Sequence, residues 1–176
     1  MTSKDAMTIP VAALARRSLS DPAHVLLLKC AYGHHLVGQR VPGVVDLAAT
    51  LRLPHEAAEV ALAELTSCGV LVRGRDGTYA VRPQRDWRTR VFRPTPGARA
   101  VLIRLIAELE AAQSPPGTEL LSDRRLAAAY SVHEHDVRWA LRLLAMRDVI
   151  ALPPRRPPTV IRRLPVRRVI TNLSGP

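Results

Sequence analysis

Aromatic side chains are scarce: one Phe, two Trp and three Tyr, 3% of 176 residues. The core must therefore be assembled from Leu, Val, Ile and Ala packed between short helices. Cysteine is scarcer still. Cys30 and Cys68 stand alone, and without a CxxC pair they exclude a zinc ribbon or a disulfide framework, which predicts reduced thiols in or near the core of an intracellular protein. No apolar run approaches the roughly 18 residues of a membrane span. Residues 1–10 lack the apolar segment of a signal peptide, so the expectation is a cytoplasmic chain without a membrane partner. Also missing are a phosphate-cradling glycine loop, a G-x-S-x-G elbow and a Cys-His dyad, so no enzyme activity, catalytic residue or cofactor is expected. Cys30 and His34 at i, i+4 lack further ligands, and His133-Glu134-His135-Asp136 lacks the spacing of H-E-x-x-H, so no metal is expected either.

Acid is the remaining shortage. Fifteen Asp and Glu face 26 Lys and Arg, a net charge of +11. Such a balance points to a polyanion, because side chains that neutralise phosphates release condensed counterions.

An internal repeat is present. Residues 46–71, DLAATLRLPHEAAEVALAELTSCGVL, lie without a gap over residues 125–150, RLAAAYSVHEHDVRWALRLLAMRDVI, at an offset of 79. The matches are apolar: Leu47, Ala48 and Ala49 fall on Leu126, Ala127 and Ala128, Leu53 on Val132, and Ala61, Leu62 and Leu65 on Ala140, Leu141 and Leu144. Each copy predicts a short helix, a tight turn at Leu53 or Val132, and a longer helix with an apolar stripe at i, i+3, i+4 and i+7; in the second copy the stripe is Val137, Ala140, Leu141 and Leu144. A helix precedes each copy. The first is capped by Ser20 with Asp21 and Pro22 in its first turn, and the second spans 98–113 before the breaker Ser114-Pro115-Pro116-Gly117. Hairpins follow, with strands 70–73 and 78–81 around Asp76-Gly77 and strands 149–152 and 159–161 around a proline-rich tip. This order of elements predicts a mainly α chain with small β-hairpin wings (α+β), organised as tandem winged helix-turn-helix domains. The expected boundaries are 1–84 for the first, 85–96 for a linker in which Trp87 and Phe92 pack between the domains or against the second, 97–164 for the second and 165–176 for a basic tail.

The run from Pro116-Gly117 through Leu120-Leu121-Ser122-Asp123-Arg124-Arg125-Leu126-Ala127, with Val137-Arg138-Trp139-Ala140-Leu141 after it, resembles the DNA-binding domain of GntR-type regulators over about sixty residues. The resemblance implies that Arg124 matches a DNA-contacting arginine opening the second helix, and Arg138 one inside the recognition helix. The sequence departs from the family pattern at His133-Glu134-His135-Asp136, where two carboxylates open the recognition helix, and at the wing, where Arg155-Arg156 replaces glycines. In place of the large carboxy-terminal effector domain usual in that family, the expected second module is the amino-terminal winged helix.

Residues 1–84 hold nine Lys or Arg against seven Asp or Glu, whereas residues 85–176 hold seventeen against eight. The second domain is thus the expected grip on double-stranded DNA. His133, His135, Arg138 and Arg142 are expected to read the major groove, with Arg142 beside Arg138 on one helical face. Arg124, Arg155, Arg156, Arg162 and Arg163 are expected to clamp phosphates, and Arg73 and Arg75 in the first wing to add a weaker contact. The corresponding helix of the first domain carries His55, Glu56, Glu59 and Glu64, which suits a protein partner or a dimer contact. The expected function is a nucleoid-associated, sequence-specific transcriptional regulator acting as a homodimer, with repression favoured. The alternatives are a plasmid replication initiator or nucleoid-architecture protein, and a protein-interaction scaffold without specific DNA binding.

Overall fold

A computed structural model describes residues 19–91, 93–162 and 164. The expectations for Phe92, Arg163 and the tail fall outside the described residues.

Helix α1, Asp21–Ala31, starts where the Ser20 hydroxyl accepts from the Ala23 amide at 3.4 Å, with Asp21 and Pro22 in the first turn, a start that answers orphan amides and suits the helix dipole. Nearly every α1 side chain from Pro22 to Cys30 is buried, so this helix is enclosed, not half-solvated. Strand β1 (Arg40–Val41) leads to α2 (Val44–Leu51), α3 (His55–Ser67), β2 (Leu71–Arg73) and β3 (Tyr79–Val81). The three strands form an antiparallel sheet in the order β1-β3-β2, with Leu71 opposite Val81 and Arg40 opposite Ala80.

The second half repeats the helices and the hairpin, with a single bridge, Glu119 to Thr159, in the place of β1. Helix α4 is Pro96–Ala111, α5 Asp123–Tyr130 and α6 Glu134–Met146, followed by the antiparallel pair β4 (Ile150–Ala151) and β5 (Thr159–Val160). Helix α4 begins earlier than expected because Thr95 caps it, accepting from the Ala98 amide at 3.0 Å, and Pro96 needs no amide partner at that position. It ends at Ala111, two residues early, and Gln113 turns to φ 47°.

The offset of 79 holds at the level of single hydrogen bonds. Leu53 N donates to Ala48 O at 2.9 Å, and Val132 N to Ala127 O at 3.0 Å. Likewise Val70 N donates to Leu65 O at 2.9 Å and Val149 N to Leu144 O at 3.0 Å. The turns between paired helices both pass through a left-handed residue, Arg52 at φ 51° and Ser131 at φ 55°. The fold is α+β, with six helices and small antiparallel sheets among the described residues, and its element order is compatible with a winged helix.

Two expectations about the middle of the chain need correction. The stretch 85–96 is not a plain linker: Gln84–Asp86 forms a 3-10 turn, the Trp87 indole donates to Arg82 O at 2.9 Å, and Arg88 N donates to Cys68 O at 2.7 Å. Trp87 is therefore bonded to the first copy. The two copies are also joined to each other. One hydrophobic cluster runs through both, because α1 packs along α6. Ion pairs cross that seam: Lys29 Nζ reaches Asp148 at 2.8 and 3.0 Å, and Arg142 reaches Asp21 Oδ1 at 2.8 Å from Nε and 2.7 Å from Nη2. No helix among the described residues is long and apolar enough to cross a membrane.

Candidate nucleic-acid interface

Helix α5 presents its N-terminal end, and α6 its residues Arg138 and Leu141, beside the tip of the β4–β5 hairpin. Ser122 caps α5 by accepting from Arg125 N at 3.4 Å. This start leaves Arg124 and Arg125 exposed on the first turn, while Leu126 and Ala127 enter the core. Asp123 accepts from Arg138 Nη2 at 2.7 Å and Nε at 3.2 Å, and from Arg124 N at 2.9 Å. The hydrogen bonds from Arg138 hold the Asp123 carboxyl below the usual carboxylate range, and Asp123 in turn raises the Arg138 guanidinium above its ordinary value. Arg138 is thereby fixed in one orientation by a charge-assisted, two-point contact. The carboxylate that organises Arg138 is thus Asp123 on the neighbouring helix, not one of the two that open α6.

The expected reading face is divided. His133, Glu134, His135 and Arg138 are exposed at the start of α6, but Arg142 is 9% exposed and bonded to Asp21. A guanidinium in that seam does not point outward beside Arg138. Beyond the first turn α6 is enclosed on two sides. The expected stripe of Val137, Ala140, Leu141 and Leu144 is buried, and so are Trp139, Leu143 and Met146, which share the face of Arg142. Asp136 also leaves the surface: the Thr95 hydroxyl donates to its carboxylate, which lies so close over the start of α4 that a Cβ on Gly97 would stand 2.5 Å from Asp136 Oδ2. One carboxylate of the two, Glu134, remains outward.

At the hairpin tip Arg155, at φ 58°, and Arg156 are exposed and make no ion pair among the described residues. They border a cleft of about 400 Å³ together with Arg138, Asp123, Asp21 and four prolines of the tip. An adjoining groove of about 470 Å³ runs from Asp21, Pro154 and Arg155 to Pro54, Glu56 and Val60 at the start of α3. The second hairpin therefore lies beside the first copy's long helix. Arg162, expected to clamp phosphate, turns back and donates to Arg147 O at 2.7 Å.

In the first copy, α3 buries Ala58, Ala61, Leu62 and Leu65 and exposes His55, Glu56, Glu59 and Val60, with His55 and Glu59 3.7 Å apart. Glu64 is not on that outer face. It accepts from Ser20 N at 3.0 Å and Ser20 Oγ at 2.6 Å, tying α3 to the start of α1. Arg73 lies over the Tyr79 ring at 5.9 Å, and Arg75 is exposed at the tip beside Asp76, which binds Thr78 and faces Arg40 at 3.5 Å.

Burial pushes the Cys30 thiol up to about 12, removing it from thiolate chemistry. No group of three or more His, Cys, Asp or Glu converges as a metal ion requires, among the described residues. No family model, curated protein or solved structure matches the chain.

Proposed function

We propose that the chain is a tandem winged-helix protein that binds double-stranded DNA through the second copy and regulates transcription. The observation that carries this reading is the convergence of Arg138, Arg155 and Arg156 on one cleft beside the exposed first turn of α5, while the two acids there, Asp123 and Asp21, are already engaged by Arg138 and Arg142. That region therefore carries an excess of unengaged guanidinium charge, from Arg124 and Arg125 at the start of α5 and Arg155 and Arg156 at the hairpin tip, the combination that suits a phosphate backbone. The first turn of α6 supplies the base-reading groups, with His133, His135 and Arg138 in reach of a groove. The GntR-type resemblance of the second copy belongs to the same proposal.

A second reading is favoured by the burial of α6 beyond its first turn. A helix with so little free surface reads few base edges, so much of the affinity resides in phosphate contacts, as in an architectural protein or an initiator coating repeated sites.

Selection of bound sequences from a random duplex library, followed by affinity measurements across a salt series, separates these outcomes. Four phosphate contacts from Arg124, Arg125, Arg155 and Arg156 give a slope of log K on log salt of about −3.6, and Arg155→Ala with Arg156→Ala makes it shallower by about 2. A selected motif bound about a thousandfold more tightly than scrambled DNA supports a site-specific regulator, and equal affinities support the architectural reading. Absence of duplex binding at about 50 mM salt, where such contacts are strongest, refutes both.

A further inference from the structure

The cleft under the hairpin tip is built differently from a plain basic surface. Its walls are Pro153, Pro154, Pro157 and Pro158 with Leu141 and Leu152 behind them, apolar groups of which the prolines lose no side-chain freedom when a ligand arrives. At about 400 Å³ it falls within the size range of small-molecule sites. Its charges are arranged in pairs and a remainder. Asp123 is held by Arg138, and Asp21 by Arg142; Arg155 and Arg156 are left over. Two unmatched guanidiniums complement a dianion, and a phosphate monoester carries −1.5 to −2 at neutral pH. Arg138 keeps Nη1 outside its contact with Asp123 and adds a third donor. A flat, weakly polar body suits the proline walls.

We infer that this cleft binds a small organic phosphate of about mononucleotide size, and that its occupant and duplex DNA exclude one another. The exclusion rests on the DNA-binding reading, because the same arginines serve both ligands; the cleft itself does not. A terminal phosphate on a nucleic-acid end presents the same chemistry as a free nucleotide, so the two sources are tested separately.

The full chain is titrated calorimetrically with adenosine 5′-monophosphate, adenosine and inorganic phosphate, and then with a 20-base-pair duplex with or without 5′-phosphates. Expected is one site for the monophosphate, with adenosine and inorganic phosphate each at least about tenfold weaker, since each lacks either the charged or the flat part. Arg155→Ala with Arg156→Ala weakens the monophosphate at least about tenfold with an unchanged thermal midpoint, while Arg99→Ala, exposed on α4 away from the cleft, leaves it unchanged. No heat of binding up to about 10 mM, or equal losses in the Arg99 and Arg155/Arg156 variants, overturns the cleft. Duplex anisotropy unaffected by saturating monophosphate overturns the exclusion. Tighter binding of the 5′-phosphorylated duplex, with no response to free monophosphate, assigns the cleft to nucleic-acid ends and overturns the small-molecule inference. Arginine-dependent monophosphate binding in a chain that ignores duplex DNA upholds the cleft and removes the proposed function instead.

Discussion

Replacing Arg142 by Ala separates a structural arginine from a DNA-reading one. Its side chain is 11% exposed and bonded to Asp21, which is 43% exposed. Breaking a fully buried pair costs about 3–5 kcal/mol, mostly from the charge left behind. Here the partner left behind is Asp21, which rehydrates at nearly half exposure, so the ionic loss shrinks towards the surface range. Losing the aliphatic stem from the α1–α6 seam adds to it, for a total of about 2 kcal/mol. For a chain of this size that lowers the thermal midpoint by about 4–8 °C. Circular-dichroism melts of the full chain measure it, and duplex affinity across a salt series is measured on the same sample. The slope should not change, because Arg142 does not face the DNA-binding rim. An unchanged midpoint with a slope shallower by about 0.9, one lost phosphate contact, would refute the reasoning. A further check is Asp21→Leu with Arg142→Met, which removes both charges and should recover most of the loss.

Gly97→Ala should destabilise by about 1 kcal/mol: the gain from better helix propensity is about 1 kcal/mol, but the new methyl displaces the Asp136 carboxylate from Thr95 at an overpacking cost of about 2 kcal/mol, and urea unfolding measures the sum. Stability should fall below pH 6.5. Burial first, and then Arg142 for His24 and Lys29 for His34 and His35, lower these imidazoles from 6.5 in the fold; the unfolded chain takes up protons that the folded chain resists, so the stability present above pH 6.5 is lost as pH drops through it. The thermal midpoint at pH 5.5 should lie below that at pH 7.5, and His24→Asn should narrow the difference; an equal or wider gap in the variant would contradict the assignment. A maleimide at pH 8 should label Cys68 slowly and Cys30 only after unfolding, since burial raises both thiols and Cys30 the more; mass spectrometry of the peptides reads this out.

The repeat was legible because its matched positions are the ones each copy buries within itself, so Leu62 and Leu141, or Leu65 and Leu144, speak for the same local packing. The seam between the copies was written in the mismatches. Trp139, Arg142, Leu143 and Met146 stand where the first copy has Val60, Ala63, Glu64 and Ser67, and all four are buried in α6. Spacing alone assigned Arg142 to a free face because Asp21 is 121 residues away in sequence, and nothing local marks such a partner. The Asp123–Arg138 pair was hidden for the same reason: its members sit on adjacent helices 15 residues apart. Arg155 and Arg156 were legible from charge without acid around them, and they stay exposed because the prolines flanking them give the tip little chance to fold inward.

The docking of α1 on α6 also sets how far this architecture can be repeated. Helix α1 is covered on all sides and carries Val25 and Lys29 into the seam or core, whereas the helix in the same place in the second copy, α4, has Arg104 and Glu108 there, both exposed. Helix α4 thus presents an ion pair to solvent where α1 presents the side that covers the long helix of the other copy. The two copies have diverged into a lid and a base that do not exchange places: with the roles exchanged, α4 would set Arg104 and Glu108 against Val60 and Ala63 of α3 and leave Trp139 and Leu143 uncovered.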